Sequence, residues 1–378
     1  MQIEQLSWRS AGGWRTERGA LDGDADLVLA FGARALLDAA RHAELAARYP
    51  RARLLGCTTA GEVCGDAVED DGIVATAVRF AHSRVALARV ELATAGDSAA
   101  AGRALAAQLP AAGLVHVFVL ADGLQTNGTE LLAGLTGALP AGVAVTGGLA
   151  GDGTAFAETG VLADAPPASG VVAALGLYGE RLAVGYGSLG GWDSFGPDRV
   201  VTRAEGNVLY ELDGQPALDL YKRYLGEFAD GLPASGLLFP LALQTPGQGG
   251  NGLVRTMLAV DETQGSMSFA GGIPTGAHVR LMKANFERLV EGAEGAARSS
   301  RERLGEAPAE LAVLISCVGR KLVLQQRIDE EIEGVRDVLG PQPVFCGFYS
   351  YGEISPFTPT ARCELHNQTM TITTLAER

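Results

Sequence analysis

Short apolar runs of strand length recur along this chain, separated by stretches whose apolar positions return at helical spacing. The first such set begins at Leu27–Phe31. It continues through Arg34–Tyr49, where Leu36, Ala40, Ala43 and Ala47 share a face, and returns as Ala52–Leu55. A second set has Leu114–Leu120 as strand, Asn127–Leu139 as helix and Val143–Val145 as strand. The third has Leu311–Ser316, then Lys321–Leu339 with Ile328, Ile332, Val335 and Leu339 aligned, and Pro343–Cys346 as the return. Each reads as a βαβ unit, and a right-handed crossover makes the two strands of each unit parallel. Every return strand runs into a glycine-rich turn that closes on an acid: Gly56–Glu62, Thr146–Asp152 and Gly347–Glu353. In the second turn Thr146 stands where the others have their first glycine.

Between the units the period changes. Ile73–Phe80 and Val85–Leu92 read as a hairpin around Ala81-His82-Ser83, leading into a helix over Gly96–Leu109. From Val161 to Ser188, and again through Val200–Thr202 and Asn207–Glu211, short β-like runs follow one another, as antiparallel meanders do. Asp213-Gly214 precedes a helix over Gln215–Glu227, and a domain boundary is expected there. Leu253–Val260 with Ser266–Phe269 reads as a further hairpin, and Asn285–Leu304 as a helix. The fold class is therefore α/β with mixed sheets: repeated βαβ units joined by antiparallel meander segments.

Composition narrows the function. Of 378 residues 51 are glycine, while 47% are hydrophobic and 20% charged, so the glycines belong to a folded chain with many tight turns. The net charge of −14 leaves no basic stripe for nucleic acid and disfavours anionic membrane surfaces. Apolar runs are too short to span a bilayer, and the first residues carry no signal-peptide pattern. Five cysteines without a tight framework point to free thiols and a cytoplasmic location.

The motifs GCTTAGEV (56–63), VTGGLAGDG (145–153), GGWDSFGP (190–197), LYELDGQPALDLYKRYLG (209–226), FPLAL (239–243), SCVGR (316–320), GFYSYGEISP (347–356) and LHNQT (365–369) occur in an order that resembles the FIST family. The resemblance runs from about residue 25 to the end. It implies two related halves: a FIST N-terminal domain over 25–213 and a FIST C-terminal domain over 214–360, followed by a C-terminal strand over 361–378. It also implies a bacterial sensory protein for small ligands such as amino acids. Some members resemble haem-binding nitric-oxide sensors that regulate histidine kinases or cyclic-di-GMP enzymes. With only the FIST pair present, output is expected through a separate partner.

The turns are the first candidates for a ligand, because they leave parallel strands at their carboxyl ends. Gly147 and Gly148, with the other turn glycines, permit close backbone approach. Cys57, Thr58, Thr59, Tyr349 and Ser350 line the turns, and Glu62, Glu353 and Asp152 are acids able to receive an amine. Arg320 suits a carboxylate through its bidentate fork; a salt bridge to Glu353 or another acid is the alternative. Equally, the glycines can serve only the turns and the acids only cap backbone N–H groups. If haem binds, His366, His278 or His116 would be the axial donor. A third reading makes Cys57 the nucleophile of a hydrolase or transferase, which requires a general base within hydrogen-bond reach.

Overall fold

The computed structural model describes residues 1–244, 253–356 and 363–378. The boundary expected at 360/361 lies outside these residues. The three βαβ units are present, each with its parallel pair. Leu27–Ala33 lies beside Arg53–Thr59, Leu114–Ala121 beside Ala144–Leu149, and Leu311–Cys317 beside Val344–Ser350. Each pair sits inside its own six-stranded mixed sheet. An antiparallel strand flanks the first strand of each pair: Ile73–Arg79, Val171–Tyr178 and Met370–Glu377 respectively. The architecture is thus mixed α/β, as the pattern predicts.

The strand after each glycine turn does not stay in its own sheet. Glu62–Cys64 leaves the first unit and pairs with Val344–Ser350 of the third. Gly352–Pro356 leaves the third unit and pairs with Ala144–Leu149 of the second. Val161–Ala163, downstream of the second turn, pairs with Arg53–Thr59 of the first. The exchange is cyclic, so the three sheets are tied into one body. One apolar cluster draws on all three, with Phe31 and Phe348 rings 4.7 Å apart beside Phe118, Leu120 and Ile315.

This exchange corrects two expectations. Ile73–Arg79 joins the first sheet and Arg84–Glu91 the second, so the link at Ala81–Ser83 crosses between sheets and makes no hairpin. The second turn also aligns one residue later than the sequence suggests. Gly56, Gly147 and Gly347 face Ala30, Val119 and Leu314 of their parallel partners, and a Cβ at any of the three would overlap that partner's carbonyl oxygen. Glycine is required there by backbone approach, and Gly147 fills the role assigned to Thr146.

The helices cover the outer faces. Ala39–Arg48 is capped by Asp38, whose side chain accepts from the Arg41 N–H, and Phe286–Leu304 by Asn285. The single helix expected over Lys321–Leu339 is two, Val318–Leu324 and Ile328–Leu339, broken where Gln325 takes a φ of 49°. Described residues within 193–244 and 253–283 build a separate antiparallel sheet around the helix Ala217–Leu225, with its own core of Leu209, Tyr221, Leu241 and Phe269. Leu253–Arg255 is an outer strand of that sheet, beside Leu241–Gln244, while Met257–Asp261 pairs with Ser266–Phe269 at the sheet's other end. No described helix is long and apolar enough to cross a membrane.

Candidate functional site

The glycine turns meet, and they meet each other. Ala60 N–H donates to the Tyr349 carbonyl at 2.9 Å and Tyr349 N–H to Gly61 at 2.8 Å. Gly151 N–H donates to Thr58 at 2.8 Å, and Tyr351 N–H to Leu149 at 3.3 Å. The backbone groups that could cradle a carboxylate therefore serve the junction.

The side chains follow suit. The Thr58 hydroxyl accepts from Gly160 N–H at 3.0 Å, and the Thr59 hydroxyl donates to Glu62. Ser350 donates to Glu353 at 2.6 Å, and Thr369 reaches the other Glu353 oxygen through both its N–H and its hydroxyl. Glu62 and Glu353 are fully buried, and burial pushes each carboxyl up to about 8. At neutral pH such groups are mostly protonated, which makes them poor partners for an ammonium. Asp152 caps the N–H groups of Phe156, Ala157 and Glu158 and accepts from the Tyr351 hydroxyl, a loop-forming role. A Cβ at Gly148 would crowd Ile315 and Phe348.

Arg320 is wholly enclosed. It pairs with Glu331 at 2.7 Å, not with Glu353, and donates to the carbonyls of Gly190 and Leu289. Tyr349 and Ser316 donate to the same Glu331 carboxylate, at 2.6 and 3.0 Å. The guanidinium is thus committed to a structural network. Cys57 lies in the apolar cluster between the sheets, and burial, then the nearby Glu62, pushes its thiol well up, so it stays protonated and enclosed.

The open space lies elsewhere. A cleft of about 1020 Å³ runs between the small sheet and the second large sheet. Its walls are the helix Gly128–Ala138, the return strand Ala144–Leu149, the strand Cys363–His366, and the segments Leu253–Arg255 and Gly272–Thr275 of the small sheet. None of the eleven turn, cysteine or arginine candidates lines it, nor a smaller cavity of about 230 Å³ beside Tyr351 and Phe156. Two charged residues do line it, Arg255 and Glu364. Arg255 is 4% exposed and has no carboxylate partner among the described residues. Its Nε and Nη1 donate to the carbonyls of Gly272, Val254 and Leu365 at 3.2, 3.3 and 3.0 Å. Burial pulls this guanidinium down to about 10, with Glu364 acting in the opposite sense.

Nothing in the sequence pattern marks Glu364, and Arg255 stands out only as an arginine inside the apolar run Leu253–Val260, a place where a cation needs a reason.

The histidines do not suit haem. His116 is buried and hydrogen-bonded to Thr146 at 2.8 Å; His366 is buried and bonded to the Ser355 carbonyl at 2.8 Å. Burial lowers them to about 3 and about 4. His278 is exposed, and none of the three lines the large cleft. The residues present do not fit a histidine-ligated haem there. Among the described residues no cluster of His, Cys, Asp and Glu could hold a metal ion.

Compared with known families, residues 26–215 match the FIST N domain and residues 217–356 the FIST C domain. No curated protein matches the chain.

Proposed function

The chain belongs to the FIST family, and from that premise we propose that it is a sensor whose small, amino-acid-like ligand occupies the cleft between the small sheet and the second large sheet. FIST domains are associated with signal-transduction sensing. The observation that carries the proposal is the cleft itself. At about 1020 Å³ it is the size of a ligand site, it is lined by apolar and polar groups together, and both matched domains contribute walls. The proposal moves the ligand from the glycine turns to this cleft, because the turn residues and their close neighbours bond to one another. The buried Glu62 Oε2 is the one side-chain oxygen of the turn acids left without a hydrogen bond among the described residues, and neither cavity opens on it.

Filling a cleft with two separate walls favours the arrangement in which both walls touch the ligand. That bias is what a separate signalling partner, a histidine kinase or a cyclic-di-GMP enzyme, would read. The test is thermal shift against a panel of free amino acids and small peptides, with Ala133→Trp as the control. Ala133 is exposed and lines the cleft, so an indole there fills the space without entering the core. A ligand at a hundred times its Kd stabilises by about 2.7 kcal/mol. The proposal expects such a shift in the wild type and its loss in Ala133→Trp. No shift with any compound, or one unchanged in the variant, would overturn it.

A further inference from the structure

Among the described residues two arginines are almost wholly buried, and only one of them is paired with an acid. Arg320 has Glu331. Arg255 has three carbonyl oxygens and no hydrogen-bonded or ion-paired carboxylate among the described residues, Glu364 acting on it only at longer range, and its Nη2 has no hydrogen-bond partner there. The stretches 245–252 and 357–362 contain no Asp or Glu in their sequences, so they supply no counter-charge either. A buried cation without a counter-ion is costly, and carbonyl dipoles leave its net charge in place. Folded chains break such a local rule chiefly at functional sites.

Position says where that anion goes. Arg255 ends an outer strand of the small sheet and reaches across to the Leu365 carbonyl, so its head lies between the two walls of the cleft. Glu364, the residue before Leu365, faces the same cleft, is half-buried, and forms no ion pair among the described residues. A cation and an anion thus share one cleft without touching. A zwitterion fits between them, carboxylate on Arg255 and ammonium on Glu364. A phosphate dianion does not, because Glu364 repels the second charge.

The remaining lining sets the body of the ligand. Leu132, Val143, Val145, Leu253, Ile273 and Pro274 give it an apolar side beside Thr129, Thr136 and Thr275. A volume of about 1020 Å³ is at the top of the range for ligands of drug size, so a single amino acid would leave most of it empty.

We propose that Arg255 and Glu364 are the two poles of this cleft and that its ligand is a short apolar peptide with free ends. This rests on the cleft reading above and names its ligand class. The experiment is isothermal titration of the full chain with leucyl-leucine, its C-terminal amide, its N-acetyl derivative and free leucine. It is run on the wild type, Arg255→Met, Arg255→Lys and Glu364→Gln, each checked for native circular dichroism. In the wild type, leucyl-leucine is expected to bind at least tenfold more tightly than the amide, the acetylated form and free leucine. Arg255→Met should erase the preference for acid over amide, and Glu364→Gln the preference for free over acetylated amine. Should Arg255→Met fail to fold, Arg255→Lys keeps the charge, loses the fork, and should narrow the same preference.

Amide and acid binding alike in the wild type would overturn the pole assignment while leaving the cleft as the site. Free leucine binding as tightly as the dipeptide would overturn the size argument alone. Binding by none of the four would overturn the peptide class, and with a silent amino-acid panel the cleft reading falls too.

Discussion

Replacing Arg320 by Met tests whether that residue holds the fold or holds a ligand. The substitution removes a cation at 0% exposure and leaves Glu331, also at 0%, without its ion pair. It also strips a donor from the carbonyls of Gly190 and Leu289. Breaking a buried pair from one side costs about 3–5 kcal/mol, and two orphaned carbonyls push the figure toward the upper end. Against a total stability of about 5–15 kcal/mol, that is a large fraction. With 378 residues and an unfolding entropy of about 2.1 cal/mol/K per residue, a loss of 4 kcal/mol lowers Tm by about 5 °C. Urea unfolding followed by circular dichroism reads the loss as a shift in midpoint. The double variant Arg320→Met/Glu331→Met removes the stranded charge. It should therefore be less destabilised than the sum of the two single changes by about 1–3 kcal/mol. It stays below wild type, because Ser316 and Tyr349 lose their common acceptor. A cost under about 1 kcal/mol for Arg320→Met, or strict additivity in the double variant, would refute the reasoning.

The buried acids make stability depend on pH. Glu62 and Glu353 both titrate near 8 in the fold, against an ordinary value of 4.5, so the native state holds protons that the unfolded chain releases. Their contribution is fully present below about 4.5 and is lost as pH rises toward 8, each at no more than about 1.4 kcal/mol per pH unit. Urea midpoints between pH 6 and 8.5 should fall in the wild type and fall less steeply in Glu62→Gln or Glu353→Gln; identical slopes would contradict the assignment. Gly347→Ala should cost more than about 2 kcal/mol by thermal unfolding, since its Cβ would overlap the Leu314 carbonyl oxygen. Gly137→Ala, in a helix with open space at the Cβ position, should instead stabilise by up to about 1 kcal/mol; similar behaviour of the two would refute the register argument.

Local pattern carries the βαβ units and little beyond them. An apolar run followed by a helical period is written within about thirty residues, which is why the parallel pairs stand where the periodicity puts them. The exchange of strands between sheets is written nowhere locally. Glu62 pairs with Phe348, and Gly147 with Ile354, across most of the chain. Ile73–Phe80 and Val85–Leu92 illustrate the limit, for two neighbouring apolar runs around a polar link look like a hairpin whichever sheets they join. The turn residues were legible as special because glycine and acid recur there. The pattern is the same for a turn that grips a ligand and for one that grips its neighbours, and only tertiary placement separates the two. Arg255 and Glu364 reach one cleft from two different sheets, 109 positions apart, and no sequence window contains both.

A closed junction at the turns and a ligand in the cleft leave different marks on the backbone. Amide hydrogen exchange with and without the tightest compound of the amino-acid and peptide panel addresses both at once. Amides of residues 58–62 and 350–353 should already be protected in the free protein and should not change. New protection should appear in Gly128–Ala138, Ala144–Leu149 and Cys363–His366. New protection at the turns with none along the cleft walls would contradict both.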